Sequence, residues 1–421
     1  MQKRLLFVIS LLLLFSVTGF SQVTTSGING KVMAGGETAI GATVIARHAP
    51  SGTVYTAVTN VEGRYSLMGL RAGGPYSVEV SYIGFQTQTF TGVNLVLGQN
   101  TVIDAQLSES SQMLQEVHIV SSGGRNTMRS DRSGAVTVIN SDQMQTVPTI
   151  GRSMTDVMKM TPQSTSNSGM AIGGGNYRQS SVTIDGASFN NSFGLNATPL
   201  PGGGTPISLD ALEQMTISLT PYDVRQSGFT GGGINAVTKS GTNEFNGSVY
   251  SYITSTSLMG NRVGTTTMAV DDGHSDTYGL TFGGPILKDK LFFFVNAELE
   301  DNVTAGPNAR AGQGGSKYDN TARRPQLEEL ESLSEYMQDT FGLTTGAWQG
   351  YSVKTPSYRL LARVDWNINR DHKLNVRFNK SNRKTSSPAS ASRSIGSSLA
   401  TAIYGGNQNT YGSNSYYGMS S

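Results

Sequence analysis

The sequence predicts a mainly β protein with three consecutive units: a β-sandwich, a small α+β domain and the first strands of a transmembrane antiparallel β-barrel. Three observations predict this fold class. Glycine is abundant, with 51 residues among 421, and Ser, Thr and Asn are also frequent, as in turns and polar-faced strands. Short apolar runs recur between glycine turns near the N-terminus. Long strands that alternate apolar with charged residues fill the last third of the chain.

The composition excludes several classes of function. The chain has no cysteine, which rules out disulfide frameworks, thiolate zinc sites and thiol nucleophiles. Its four histidines are scattered along the chain, so we expect no metal site and no cofactor. Without Lys3 and Arg4 the basic and acidic residues balance, which argues against a nucleic-acid binder. No serine elbow, zinc motif or convincing carboxylate pair is present, so the sequence predicts no catalytic site and no enzyme.

Residues 1–21 have the pattern of a secretory signal peptide. Lys3 and Arg4 precede an apolar run from Leu5 to Phe15, and small residues precede Gln22. The run is short for a transmembrane helix, which needs roughly twenty apolar residues. No later segment is apolar enough for such a helix, so we expect any return to a membrane to use a β-barrel.

Residues 26–107 consist of short β-type runs separated by glycine turns, a pattern that predicts a small β-sandwich. Four motifs mark its strands and turns: G-K-V at 30–32, E-G-R-Y-S-L at 62–67, Y-S-V at 76–78 and I-G-F at 83–85. Their spacing resembles that of the carboxypeptidase regulatory-like domain. Glu62 stands where that family usually has aspartate, a difference that affects only turn geometry. Nothing in the region supplies peptidase chemistry.

Residues 108–130 form a polar linker that contains one short β-prone segment. In this segment Val117, His118, Ile119 and Val120 follow Glu116 and precede serines and glycines. Such a segment can add as a strand to the sheet of another protein. It can equally form an edge strand of a neighbouring domain. The sequence favours neither possibility.

Residues 131–241 predict a small α+β domain with long loops rich in Gly and Asn. Strands are expected at 134–140, 179–185 and 215–219, with helices at 142–145 and 152–160, and the stretch 231–239 closes the domain. Asp185 and Gly186 form the expected turn after the second of these strands. In the loop before that strand, Asn176, Tyr177 and Arg178 are candidate ligand contacts. The same side chains could instead pack against a surrounding wall.

Residues 245–421 contain longer strands with strict alternation. The clearest is 358–368, which has apolar residues on one face, charged or polar residues on the other, and Leu361 as the exception. Strands of about ten residues with this pattern are typical of an outer-membrane β-barrel. The apolar face meets lipid, and the charged face lines the lumen.

The connections between these strands alternate in length. The turns at 287–290 and 369–371 are short, whereas the loops at 255–276 and 302–355 are long, and the longer loop contains an amphipathic helix. Outer-membrane barrels place short turns in the periplasm and long loops outside. About five strands can be identified, too few to close a barrel, and open edges leave backbone groups unpaired in lipid. We therefore expect the chain to be the N-terminal part of a longer protein.

The order of these units resembles that of a TonB-dependent receptor of the outer membrane. S-V-T-I-D-G at 181–186 looks like the strand and turn of the family's plug domain. L-E-Q-M-T-I at 212–217, together with G-G-G-I-N-A-V-T-K at 231–239, is similar to the end of that domain. G-G-P-I-L-K-D-K-L-F-F-F at 283–294 looks like an early barrel hairpin of the Oar-like members.

This resemblance implies a transporter that binds a substrate at the cell surface and imports it into the periplasm by energy-coupled displacement of the plug. The implied partners are TonB with its inner-membrane energising complex, outer-membrane lipid and an unknown substrate. A surface lipoprotein is a further candidate partner. By position, Glu116–Val120 resembles the TonB box, although His118 is unusual there.

The alternative is a secreted or surface-anchored adhesion or binding protein that has stacked β-domains and no transport activity. Such a protein would keep the signal peptide and the sandwich. It would extract in water and would have no lipid-facing band.

Overall fold

The computed structural model covers most of the chain between Thr24 and Ser420. The described residues are 24–109, 118–121, 135–147, 152–165, 171–190, 200, 204–219, 226, 229–258, 260, 262–264, 266–267, 273–305, 326–345, 352–369, 372–387 and 413–420. The expected signal peptide at 1–21 lies outside these ranges. Among the helices inside them, none is both long and apolar enough to cross a membrane.

The first unit is a β-sandwich. Its strands are β1 (Ser26–Ala34), β2 (Glu37–Thr38), β3 (Thr43–His48), β4 (Val54–Val58), β5 (Arg64–Leu70), β6 (Gly73–Ser81), β7 (Gln88–Leu95), β8 (Asn100–Val102) and β9 (Ala105–Leu107). One sheet is centred on β1, which pairs with β2, β5, β8 and β9, and the other runs β7–β6–β3–β4. Alternate residues of both sheets, such as Ile28, Val44, Tyr76 and Leu95, form one apolar core.

The segment after the sandwich extends the second sheet. β10 (His118–Ser121) pairs in parallel with β7, with Val120 opposite Phe90. This part of the expected linker is therefore an edge strand of the neighbouring domain. Glu116 and Val117, the first two residues of the TonB-box-like segment, lie outside the described residues.

The second unit is an α+β domain, called the plug below. Its elements are β11 (Val136–Asn140), α1 (Ser141–Thr146), α2 (Met154–Met158), β12 (Ser164–Thr165), β13 (Ala171–Ile172), β14 (Ser181–Ile184), β15 (Ala187–Ser188), β16 (Leu212–Ser218) and β17 (Gly233–Thr238). The main sheet has the order β11–β16–β17–β14–β15, in which β14 and β17 are parallel. Capping boxes at Asn140 and Ser153 begin the two helices. α2 is shorter than the expected helix at 152–160.

The third unit is one large antiparallel sheet, called the wall below. Its region contains β18 (Asn246–Ser255), β19 (Arg262–Val263), β20 (Thr266–Thr267), β21 (His274–Leu287), β22 (Leu291–Ala305), α3 (Leu327–Phe341), β23 (Ser352–Lys354), β24 (Ser357–Asn367), β25 (Lys373–Ser387) and β26 (Ser413–Ser420). The long strands follow the order β18–β21–β22–β24–β25–β26, and β23 pairs with the end of β22. Within the described residues this sheet is open, with β18 and β26 at its edges. β26 adds a sixth strand to the five that the sequence predicts.

The two faces of the wall differ as the alternation predicts. On β24, Arg359 and Asp365 are 9% and 2% exposed, whereas Val364 and Trp366 are 39% and 45% exposed. The charged face lies against the plug, and the apolar face is open. Leu361, the exception in the pattern, is buried because it packs into the apolar core of the plug.

The connections of the wall confirm the predicted alternation of short turns and long loops. The short turns that follow β21 and β24 lie at the same end of the sheet. The sandwich lies at that end, where the Asn367 side chain donates a hydrogen bond to Thr53 Oγ1 over 3.0 Å. The longest loop contains α3, as its amphipathic pattern predicts, and Leu330 of this helix is buried.

Candidate functional site

Buried charges of the wall hold one side of the plug. On β24, Arg359 forms an ion pair with Glu298 of β22, and its Nη2 lies 2.6 Å from Glu300 Oε2. Its Nε donates to the backbone oxygen of Thr205 in the plug over 2.6 Å. Ser208, also in the plug, donates to Glu298 Oε2 over 2.6 Å. Because these charges are nearly excluded from water, their mutual pairing and these hydrogen bonds are what make their burial tolerable.

A second set of contacts lies nearer the short turns of the wall. Arg363 donates to the backbone oxygen of Thr238 in β17 over 2.6 Å, and its Nε lies 2.8 Å from Asp365 Oδ2. Arg377 of β25 donates to the backbone oxygen of Asp185 over 3.1 Å. The plug is therefore attached to two neighbouring strands of the wall by polar contacts.

Asp185 connects the plug turn to both β17 and the wall. Its φ of 51° is in the left-handed region, as the predicted turn with Gly186 requires. The carboxylate accepts hydrogen bonds from the backbone N–H of Thr238 over 3.0 Å and from its hydroxyl over 2.6 Å. The same carboxylate lies 3.5 Å from Nε of Arg377.

The candidate ligand contacts lie at the opposite end of the plug. Tyr177 begins a short 3₁₀ turn that is capped by Asn176, whose side chain accepts from the backbone N–H of Arg178 over 3.1 Å. Tyr177 is buried, with 8% of its surface exposed, whereas Asn176 and Arg178 are exposed. This turn precedes β14, whose far end carries Asp185, so it faces away from the sandwich. Substrate contact by these three residues stays a prediction.

The described part of the candidate coupling segment, His118–Val120, lies at the edge of the sandwich. His118, Ile119 and Val120 of the TonB-box-like segment belong to β10, which pairs only with β7 among the described residues. The described residues of this segment, His118–Val120, therefore form no strand pairing with the plug that carries the candidate ligand contacts. Its role in partner binding stays a prediction.

The sequence predicted the charged inner face of the wall but not its partners. Alternation in β24 indicates that Arg359 and Arg363 share a face. Their contacts with Thr205 and Thr238 are separated by more than a hundred residues along the chain, and no local pattern signals them. Among the described residues, no group of three or more acidic or histidine side chains is arranged to hold a metal.

Two family models match the chain. The outer membrane beta barrel domain matches residues 237–420. The carboxypeptidase regulatory-like domain matches residues 27–108. The second match agrees with the resemblance noted in the sequence of the sandwich.

One curated protein and two solved structures illustrate the similarity. The TonB-dependent transporter Oar of Myxococcus xanthus is 29% identical over 225 residues, which are 51% of this chain and 19% of that protein. The siderophore receptor PirA from Acinetobacter baumannii is 16% identical, with a TM-score of 0.40 over 63% of this chain and 35% of that chain. A mutant of the ferric enterobactin receptor PfeA from Pseudomonas aeruginosa, in complex with enterobactin, is 13% identical, with a TM-score of 0.42 over 64% and 36%.

The assignment rests on the two domain models and on the curated relative, because both TM-scores are below 0.5. The chain spans about a fifth of the length of Oar. That relative is a transporter rather than an enzyme. The chain thus combines a region that matches the carboxypeptidase regulatory-like domain with a region that matches the outer membrane β-barrel domain, and about half of it is similar to the TonB-dependent transporter Oar.

Proposed function

We propose that this chain forms the N-terminal part of a receptor that binds a substrate at the cell surface and carries it into the periplasm. At rest the plug lies against the wall. TonB, energised by its inner-membrane complex, displaces the plug so that the substrate passes. A surface lipoprotein that caps the outer loops is a further candidate partner.

The polar interface between plug and wall is the observation that carries this proposal. Arg359, Glu298 and Ser208 form its buried centre. Hydrogen bonds and ion pairs can be exchanged for hydrogen bonds to water when the two surfaces separate. An interface of this kind supports a plug that is held firmly at rest and can still be moved by an applied force.

The exposed side chains of Asn176 and Arg178 are proposed to contact the substrate. They lie on the plug at the end away from the sandwich, and we assign this end to the cell-surface side because short turns of outer-membrane barrels lie in the periplasm. Both can donate hydrogen bonds, and Arg178 carries a fixed positive charge. The segment Glu116–Val120 is proposed to bind TonB by strand addition, in which backbone hydrogen bonds give most of the affinity.

Binding of TonB tests the coupling part of the proposal without knowledge of the substrate. The complete receptor is purified with Val117–Val120 replaced by glycine, and its affinity for the purified periplasmic domain of TonB is measured. We expect at least a tenfold loss of affinity, because glycine disfavours the extended strand that the partner must pair with.

The matched control replaces Asn126–Arg129 of the same linker with glycine, and it should bind TonB as the parent does. Equal affinity of the Val117–Val120 variant and the parent would contradict the coupling assignment. A parent receptor that shows no affinity for TonB would contradict the proposed function itself.

A further inference from the structure

The sandwich is docked on both the plug and the wall. Asn367 of the wall donates to Thr53 Oγ1 over 3.0 Å. The Lys373 ammonium lies 3.2 Å from the centre of the Tyr55 ring, a cation–π contact. The sandwich residues that make such contacts are called the docking surface: Pro50, Thr53, Tyr55, Arg71 and Leu97.

The docking surface also contacts the plug and its connection to the wall. The backbone N–H of Leu97 donates to Gln214 Oε1 of β16 over 2.8 Å. The backbone N–H of Asn243, in the connection before β18, donates to the Pro50 oxygen over 2.8 Å. The sandwich therefore covers the end of the plug that lies beside the short turns of the wall.

Arg71 joins all three units. Its Nη1 donates to Ser240 Oγ, just after the last plug strand, over 2.9 Å. Its Nη2 lies 3.5 Å from Asp365 Oδ1 of the wall, and the two side chains are only 17% and 3% exposed. The Tyr76 hydroxyl donates to the backbone oxygen of Arg71 over 3.0 Å and so fixes this residue to the sandwich core.

The path of the chain links this docked domain to the TonB-box-like segment. The last described residue of the sandwich, Glu109, bridges to Phe85 at the end remote from the plug. β10 then runs parallel to β7 toward Leu97 and the plug. A force applied at His118–Val120 therefore acts on the edge of the sandwich through the pairing of β10 with β7.

We propose that the carboxypeptidase regulatory-like domain is a periplasmic latch. Docked, it covers the plug and fixes it to the wall, and it must leave the wall before the plug can move. The interface consists mainly of polar and charged contacts, as in domains that move relative to one another. The latch role rests on the function proposed above, because TonB supplies the force that opens it.

Cross-linking tests the docked arrangement independently of transport. The chain has no cysteine, so introduced cysteines report single contacts. In outer membranes that contain the complete receptor, Thr53→Cys and Asn367→Cys should be joined by a short, reducible bis-methanethiosulfonate reagent. The control pairs Ile83→Cys with Asn367→Cys and should give no cross-link, because Ile83 is 94% exposed at the remote end of the sandwich. Equal yields from the two pairs would overturn the docking.

Substitution of Arg71 tests which contact holds the latch. Arg71→Gln in the Thr53/Asn367 cysteine pair should lower the cross-link yield several-fold, because the ion pair between Arg71 and Asp365 and the hydrogen bond to Ser240 that join the sandwich to the other two units are lost. The matched control is Arg64→Gln, which removes an arginine that is 70% exposed and pairs with Glu62 on the surface. The control should leave the yield unchanged. A yield that is equally unaffected by both substitutions would show that Arg71 does not hold the domain.

Force measurements test whether the latch must open. The TonB periplasmic domain, attached to a force probe, is allowed to capture the receptor and is then retracted. We expect the uncross-linked receptor to show extension of the plug, and the receptor cross-linked between Thr53→Cys and Asn367→Cys to show none until a reductant is added. Identical plug extension in both forms would overturn the latch.

Capture by TonB distinguishes failure of the latch role from failure of the proposed receptor function. If TonB captures both forms and only the free form extends, the latch is supported. If TonB captures neither form, the proposed function fails and the latch role fails with it. The cross-linking result would then describe a docked domain that has no part in transport.

Discussion

Single buried charges explain how the wall holds the plug. Arg359 is 9% exposed and contacts Glu298, Glu300 and the backbone of Thr205. Removing one member of such a group leaves the others buried without compensation, which costs more than an exposed ion pair contributes. The sequence indicates only that these residues share the inner face. Their pairing depends on the register between β22 and β24, which becomes visible only in the folded sheet.

The facing of individual wall residues gives a direct prediction. Val376→Lys should impair assembly in the outer membrane, because Val376 lies on the open apolar face and is 57% exposed. A lysine in the middle of the bilayer costs about 2–4 kcal/mol. The matched change, Asn375→Lys, lies on the lumen side and should assemble as the parent does. The measurement is the amount of folded, heat-modifiable protein in outer membranes, and equal amounts for both variants would contradict the facing assignment.

His48 gives the sandwich a pH dependence. Burial, together with the nearby positive charge of Arg71, lowers the pKa of His48 to about 4. Its ring is packed against Tyr76, and Nδ1 lies 2.7 Å from Ser51 Oγ. Since the unfolded chain binds this proton more tightly, the neutral histidine stabilises the fold above its unfolded pKa of roughly 6.5, and that stability is lost as the pH falls toward 4.

We therefore expect the free energy of unfolding of the sandwich within the whole protein to fall between pH 7 and pH 4.5, with a total loss of about 3 kcal/mol at most from His48. Hydrogen exchange of the core amides of the sandwich, measured in the whole protein across this pH range, reports this change. His48→Gln cannot take up the proton and should flatten the profile over that range. An equally steep profile for the variant would assign the pH dependence to other groups.

At the scale of elements, the sequence predicts those strands and helices that bury one apolar face, because burial fixes the spacing of their apolar residues. β24 and α3 appear where the sequence places them, because one face of each is apolar along its whole length. β26 was missed because its Ser, Asn, Gly and Tyr residues do not alternate, so its pairing with β25 had no local signal. The sequence does not decide whether the residues of β10 pair within the chain or with another protein, because either strand edge satisfies the same backbone groups.

The turn between β14 and β15 gives a prediction for an element. Asp185→Ala should weaken the end of the plug sheet, because alanine disfavours the left-handed backbone and leaves the Thr238 N–H and Arg377 without the carboxylate. Asp185→Asn should cost much less, since asparagine tolerates this backbone and keeps an acceptor. Hydrogen exchange of the Thr238 amide is the measurement. Equal protection in the two variants would show that the turn does not secure β17.

At the scale of the whole molecule, sequence reasoning predicted the order of units but not how they meet. The sandwich, the plug and the wall each follow from local patterns of apolar residues. Their contacts depend on residues such as Arg71 and Asp365, which are nearly three hundred positions apart. The sequence does not distinguish an arginine that is exposed to solvent from one that joins two domains. The two differ only in the distant residues that they contact in the folded protein.

The most direct test of the account is the location and state of the native protein. Inner and outer membranes and the soluble fraction of cells are separated and probed with an antibody against residues 24–109, with and without boiling before electrophoresis. We expect a band in the outer membrane whose mobility changes on boiling, because a closed β-barrel resists detergent until it is heated. A soluble product whose mobility is unaffected by boiling would contradict it and would favour a secreted adhesion or binding protein.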